Sequence, residues 1–321
     1  MNKKQIKEQI KIIANSFLWI KWRIIYLFVH SYYLHKTVKV NTGKVALCCI
    51  AKMENDYIRE FVDYYQKLGF DKLYLYDNNN LEGERFEELL EDYLLLGFVE
   101  IIDFRGKKIC QLEAYQNCCD IHRLDYDWIA FFDCDEYLTF NDGTSNIHDF
   151  LNRNIFDSCQ LIHVNWMTYG DNEMLDNDGR NVIERFKEPI KPLNFKKTIN
   201  SGNFSFNNHI KTFVRGGVSV HWDKSPHTPS DKYYRCCTCD GRFVENTPFN
   251  SFDYHIAYLK HFTTKTIGEY VRIKMKRGFP DLPPEVIRQH LDLDNFFAYN
   301  KRTDEKIQYA EKLMIKLIKD Y

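Results

Sequence analysis

Surplus charge is what this 321-residue chain lacks most plainly: 44 Lys and Arg stand against 45 Asp and Glu, a formal net charge of −1. Proteins that wrap nucleic acid draw their affinity from excess basic charge, so a nucleic-acid polymer is excluded as a partner. Glycine and proline are scarce, at 14 and 8 residues. That scarcity excludes collagen-like and disordered chains. No G-x-x-x-x-G-K-S/T sequence occurs, so P-loop chemistry is excluded. The hydrophobic stretch near the N-terminus is interrupted by Lys21 and Arg23, short of the about 20 mostly apolar residues of a transmembrane helix. It shows neither the unbroken apolar core nor the small-residue cleavage site of a signal peptide. Ten cysteines are present, but Cys48-Cys49, Cys118-Cys119 and Cys236-Cys237 are adjacent pairs, unlike a disulfide framework. They are read as reduced, buried residues of a cytosolic protein. Cys236 and Cys239 form a C-x-x-C without a second pair, so structural zinc there would need ligands such as His221 or His227.

Aromatic residues, by contrast, are abundant: 24 Phe, 21 Tyr and 5 Trp, or 16% of the chain. Charge is also unevenly spread. Residues 1–40 carry Lys3, Lys4, Lys7, Lys11, Lys21, Arg23, Lys36 and Lys39 against Glu8 alone. Ile6, Ile10, Ile13, Phe17, Ile20, Ile24 and Leu27 recur at helical spacing on one face, with Trp19, Trp22 and Tyr26 among them. The pattern predicts an interfacial helix on an anionic membrane, through residues 1–36, with the protein on the inner face of the cytoplasmic membrane. A helix packed on the domain or on a partner is the competing reading. Removing residues 1–36 is expected to abolish liposome binding without unfolding the rest; unchanged binding contradicts the membrane reading.

From residue 44 the pattern alternates. Lys44–Ala51 (KVALCCIA) is a continuous apolar run, suited to a strand buried on both faces. A helix follows, with Asn55 as N-cap and a stop at Gly69. Lys72–Tyr76, 98–103 and Asp127–Phe132 read as strands, and 83–96 and 111–124 as helices between them. This βαβαβαβ order predicts a mostly parallel, Rossmann-like sheet whose ligands sit beyond the C-terminal strand ends. Further on, 159–165, 210–214 and 217–221 read as strands, and 265–277 and 303–320 as helices. The fourth strand delivers Asp133-Cys134-Asp135-Glu136 at its tip. In extended backbone Asp133 and Asp135 point the same way. Clustered carboxylates need a compensating cation, and Mg²⁺ or Mn²⁺ bridging a diphosphate supplies one. A haloacid-dehalogenase phosphatase would carry its D-x-D after the first strand, and Asp176–Gly179 fails the EF-hand spacing.

Several segments carry a family likeness. Ala51–Asn79, with Glu54, Gly69 and Tyr76-Asp77-Asn78, resembles the opening of glycosyltransferase family 92 and of related family 2-like glycosyltransferases. The resemblance continues through Gln111–Cys118, Asp127–Leu138, Asn165–Gly170, His261–Tyr270, Lys274 and Arg277-Gly278. It departs at Met53-Glu54-Asn55, where the family usually has Asn-Glu. The resemblance implies a GT-A fold, a nucleotide-diphosphate sugar donor, with a UDP-sugar favoured, and Mn²⁺ or Mg²⁺. It implies that Asp77 contacts the nucleotide base, Asp133 the ribose and metal, and Asp135 the metal. It gives Glu136 an accessory or acceptor-side role and a late histidine, His227 or else His261, a place on the metal. Lys265, Lys274 and Arg277 would grip the diphosphate. Inverting transfer needs a general base; Asp171 is the first choice, ahead of Glu173, Glu184 and Asp223, with Trp166 as a sugar-stacking ring.

The expectation is therefore a basic N-terminal segment at 1–40, a GT-A domain at 41–290 and a helical extension at 291–321. The reaction expected is metal-dependent sugar transfer to a glycan or lipid-linked acceptor in cell-surface polysaccharide or lipopolysaccharide synthesis. The alternatives are a nucleotidyl or phosphoryl transferase on a similar sheet, or a glycan-binding relative with a dead site.

Overall fold

The computed structural model describes residues 38–190, 206–230, 233–250, 253–278 and 292–319, together with Ile24. The amphipathic segment expected at 1–36 lies outside the described residues apart from Ile24. Among the described residues no helix is long and apolar enough to cross a membrane.

The first half follows the alternation: β1 (Val45–Ala51), α1 (Asn55–Lys67), β2 (Lys72–Asp77), α2 (Glu91–Leu95), β3 (Val99–Asp103), α3 (Gln111–His122) and β4 (Trp128–Phe131). Then come β5 (Glu136–Phe140), α4 (Ile147–Leu151), β6 (Leu161–Thr168), α5 (Val182–Arg185), β7 (Ile210–Arg215), β8 (Cys236–Thr238), β9 (Phe243–Val244) and β10 (Ala257–His261). The composite helix α6 consists of Ile267–Glu269, a π-helical turn Tyr270–Lys274, and Met275–Arg277. Two helices, α7 (Leu293–Tyr299) and α8 (Asp304–Lys319), complete the described chain.

The main sheet runs β3-β2-β1-β4-β7-β6-β10-β5. Strands β1 to β4 are mutually parallel, and β7 is antiparallel to both β4 and β6. The apolar run of β1 is buried on both faces. Val45, Leu47, Cys49 and Ala51 join one core with α1, whereas Ala46, Cys48 and Ile50 join a second core with α3 and Trp222. A third, smaller core joins Ile267, Tyr270 and Val271 of α6 to Phe296 and Ala310 of the C-terminal helices.

Several details depart from the sequence expectations, whereas the cysteines follow them. The helix expected at 83–96 is confined to Glu91–Leu95. The Arg105 guanidinium collects the carbonyls of Asn80, Leu81, Gly83 and Glu84, drawing that chain into turns. The segment 217–221 forms no strand. Gly217 has a left-handed φ of 76° and a Cβ there would sit 1.8 Å from the Val38 carbonyl oxygen, so the chain turns away. Helix α6 starts at Ile267, because Thr266 caps it in a reciprocal box with Glu269. Cys236 and Cys239 do not form a metal pair: their side chains enter different cores, on opposite sides of the sheet. All ten cysteines are buried free thiols.

Candidate active site

The sheet directions bring the chemistry to one edge. Strands β1, β2 and β4 run parallel, so Ala51, Asp77 and the segment after Phe131 share that edge. Strand β7 is antiparallel to β4, so its start, His209–Lys211, lies there too. Strand β6 is antiparallel to β7 and parallel to β10, which brings Trp166 and His261 to the same edge. Strand β5 is antiparallel to β10 and contributes its first residue, Glu136. These ends surround a cleft of about 650 Å³ lined by Lys52, Glu54, Asn78, Gln111, Asp133, Asp135, Trp166, His209, His227, His261, Lys274 and Arg277, among others.

The acidic tip is a turn, not an extended strand. The Glu136 amide donates to the Asp133 carbonyl (3.0 Å), and the Asp133 amide donates back to the Glu136 carboxylate (2.9 Å). Asp133 and Asp135 therefore face different partners, contrary to the extended expectation. Asp133 Oδ1 accepts from Gln111 Nε2 (2.8 Å) and Tyr115 Oη (3.0 Å), and its Oδ2 pairs with Lys211 Nζ at 2.8 Å. Asp135 lies against His261, with Nε2 to Oδ1 at 3.7 Å. Asp135, Glu136 and His261 place one potential ligand atom each within 4.8 Å of one another.

The titration of this cluster follows from burial against charge. Burial opposes ionisation of Asp135, but His261, Lys274, Lys265 and Lys211 oppose protonation more strongly and hold it at about 2. Burial, with Lys274 and Lys211 assisting, pulls His261 down to about 3 despite Asp135. His261 is thus neutral at pH 7, and the three lysines keep Asp135 ionised. Burial pulls Lys274 down to about 8, against the favourable field of Asp135 and Asp133. Burial pushes the Glu136 carboxyl up, against Lys211 and with help from Asp133 and Asp135. Glu136 is fully buried beneath the tip and does not line the cleft.

The other anticipated residues divide. Lys274 and Arg277 line the cleft; Lys274 donates to Thr263 Oγ1 (2.7 Å), and Arg277 pairs with buried Glu54. Lys265, left-handed at φ 52°, sits just behind them, its Nζ 3.9 Å from Glu54 and 4.1 Å above the Tyr57 ring. His227 lines the cleft, but its Nδ1 is 3.0 Å from the Ile210 carbonyl, which fixes a hydrogen on that nitrogen. His261, not His227, stands beside Asp135. Asp77 is buried; its carboxylate pairs with Arg105 (2.6 Å) and accepts from the Asn79 amide (2.8 Å). Asp171 is buried in an ion pair with Lys306 (2.6 Å), outside the cleft lining. Trp166 stands at the cleft wall among His209, His227 and His261, with ring centroids 4.9, 5.1 and 4.0 Å away. Lys211, fully buried, is the member that sequence reading missed. Its signal was a lysine inside the strand expected at 210–214, whose pairing with an acidic strand tip is set only by the fold.

The family model described as Glycosyltransferase family 92 matches residues 44–289. The chain belongs to glycosyltransferase family 92. A family 92 protein of Arabidopsis thaliana is 27% identical over 146 residues, 43% of this chain and 24% of that protein. One of Ricinus communis is 28% identical over 101 residues, 30% of this chain and 17% of that protein. The matched stretches thus span about a quarter or less of these plant relatives. Among solved structures, S. aureus TarS in complex with UDP-GlcNAc aligns over 84% of this chain and 71% of that one, at 12% identity and a TM-score of 0.40. A mannosyltransferase of Pyrobaculum calidifontis in complex with GDP-Man and Mn²⁺ aligns over 47% of this chain and 45% of that one, at 12% identity and a TM-score of 0.27. The family 92 chain has a largely parallel Rossmann-like half, with β7 inserted antiparallel between β4 and β6.

Proposed function

We propose that this family 92 chain transfers a sugar from a nucleotide-diphosphate donor, with UDP-sugars favoured, to a hydroxyl of a glycan or lipid-linked acceptor, in a metal-dependent reaction. A role in cell-surface polysaccharide or lipopolysaccharide synthesis at the inner face of the membrane belongs to the same reading. One observation carries it: the Asp135 carboxylate, the His261 imidazole and the cations Lys274 and Arg277 converge in a single cleft at the C-terminal strand ends.

The residues present fit Mn²⁺ or Mg²⁺. Two carboxylates and one imidazole form the donor set, and His261 Nδ1 and Glu136 Oε1 are buried atoms without a hydrogen-bond partner. Asp135 and His261 would hold the ion, with Glu136 adjoining. Bound there, the ion supplies charge neutralisation for a departing diphosphate. The protein's own groups do the rest. Lys274 and Arg277 offer hydrogen bonds and positive charge to diphosphate oxygens. Gln111, Tyr115 and Lys211 hold Asp133 in one orientation, leaving its exposed edge for a ribose hydroxyl. Glu54 fixes Arg277 from behind.

The test is incubation with a panel of UDP- and GDP-sugars and Mn²⁺, reading nucleoside diphosphate release. Release with at least one donor is expected. Nucleotidyl incorporation without diphosphate release would favour a nucleotidyltransferase, and no reaction with any donor contradicts the proposal.

A further inference from the structure

The family-matched segment ends at residue 289, yet the cleft does not. Helix α7, which begins at Leu293, contributes Asn295 and Tyr299 to the lining, beside Tyr270, Lys274 and Gly278. The two side chains are four residues apart and so share one helix face. Their placement is built rather than incidental. Phe296, between them in sequence, is fully buried in the core shared with α6. Asn300 accepts from the Asp171 amide (2.7 Å) and donates to Thr264 Oγ1 (3.1 Å), tying the end of α7 to two loops of the family domain. The buried Lys306 ammonium of α8 pairs with Asp171 at 2.6 Å. Tyr309 of α8 and Arg272 of α6 both bind the Asp176 carboxylate.

We infer that the C-terminal pair α7–α8 is a specificity element of the cleft, in which Asn295 and Tyr299 recognise a pyranose. This rests on the glycosyltransferase reading. A phenol ring offers an apolar face to the C–H face of a sugar and a hydroxyl at its edge; the Asn295 carboxamide, whose Nδ2 donates one hydrogen to Tyr270 Oη (3.0 Å), has an oxygen and a second N–H to pair with vicinal hydroxyls. Neither group carries the charge needed to hold a diphosphate, and the neighbouring Lys274 and Arg277 already supply it. The latch through Asp171, Asn300 and Lys306 sets the position of this wall, so Asp171 acts as an anchor and not as a base.

Asn295→Ala and Tyr299→Ala test the inference, with Tyr299→Phe as a near-isosteric variant should an alanine variant lose thermal stability. Binding of UDP with Mn²⁺ is measured by calorimetry, and kcat/KM is measured over a panel of UDP- and GDP-sugars, with water and with simple saccharides as acceptors. Expected is UDP affinity within about twofold of wild type, a loss of about tenfold or more in kcat/KM, and a changed ranking of sugars. A loss already present in donor hydrolysis assigns the pyranose to the donor; a loss confined to transfer assigns it to the acceptor. Unchanged kcat/KM and ranking, or an equal loss in UDP binding alone, overturns the inference. A wild-type protein that binds no nucleotide and turns over no donor instead overturns the glycosyltransferase reading beneath it.

Discussion

Exchanging Asp135 for asparagine is expected to lower diphosphate release by about 10³-fold, or about 4 kcal/mol of transition-state stabilisation, with the fold intact. The substitution keeps the side-chain shape and removes the anion that faces His261. The surrounding cations keep other partners. Lys211 stays paired with Asp133, Lys265 and Arg277 with Glu54, and Lys274 with Thr263. The loss should therefore appear in activity and metal affinity and not in thermal unfolding. A variant within tenfold of wild-type turnover, at equal metal concentration, would remove Asp135 from the centre of the site.

The second large effect concerns the clamp that holds α6, and with it Lys274 and Arg277, against the domain. Glu269 Oε1 accepts from Tyr57 Oη (2.7 Å) and Arg185 Nη2 (2.8 Å), and Oε2 from Arg185 Nη1 (2.9 Å) and Thr266 Oγ1 (2.6 Å). Both members of the ion pair are buried. Glu269→Ala leaves the Arg185 guanidinium unpaired in the interior, which costs about 3–5 kcal/mol. That corresponds to a fall in Tm of roughly 6–15 °C. The double variant Arg185→Met/Glu269→Leu is expected to recover most of the loss, because no buried charge remains alone. A single variant that unfolds within about 1 kcal/mol of wild type contradicts the clamp.

The same pair sets a pH dependence. Burial raises the Glu269 carboxyl, but Arg185, Thr266 and Tyr57 outweigh it and hold it below the ordinary 4.5. The unfolded chain therefore takes up this proton at higher pH than the folded one. The stabilisation is complete above about pH 4.5 and is lost as pH falls through the lower folded value. Chemical denaturation of wild type and Glu269→Gln should show a constant gap at neutral pH that narrows under acid.

The sequence was most legible where one strand or helix decides the outcome. The KVALCCIA run announces burial on both faces, and β1 has it. The acids Asp133 to Glu136 announce a charged strand tip, and the cleft is built around it. Legibility failed where distant elements compete. Arg105 drew the carbonyls of Gly83 and Glu84, the start of the helix expected at 83–96, into turns. The turn at Asp133–Glu136 separated two aspartates that strand geometry would have aligned. Both His227 and His261 reach the cleft, and the antiparallel pairing of β10 with β5, which sets His261 opposite Glu136, puts the second beside Asp135. Asp171 carried a suitable charge in a suitable loop, but Lys306, 135 positions further along, had already claimed it.

The most direct measurement is a calorimetric titration of UDP into the full chain, with Mn²⁺ and with a chelator. Binding at least about tenfold tighter with Mn²⁺ is expected, with that gain lost in His261→Ala and the chelated affinity unchanged. Equal affinity with and without Mn²⁺, or a full metal-dependent gain in His261→Ala, would contradict a nucleotide-diphosphate site organised by Asp135 and His261.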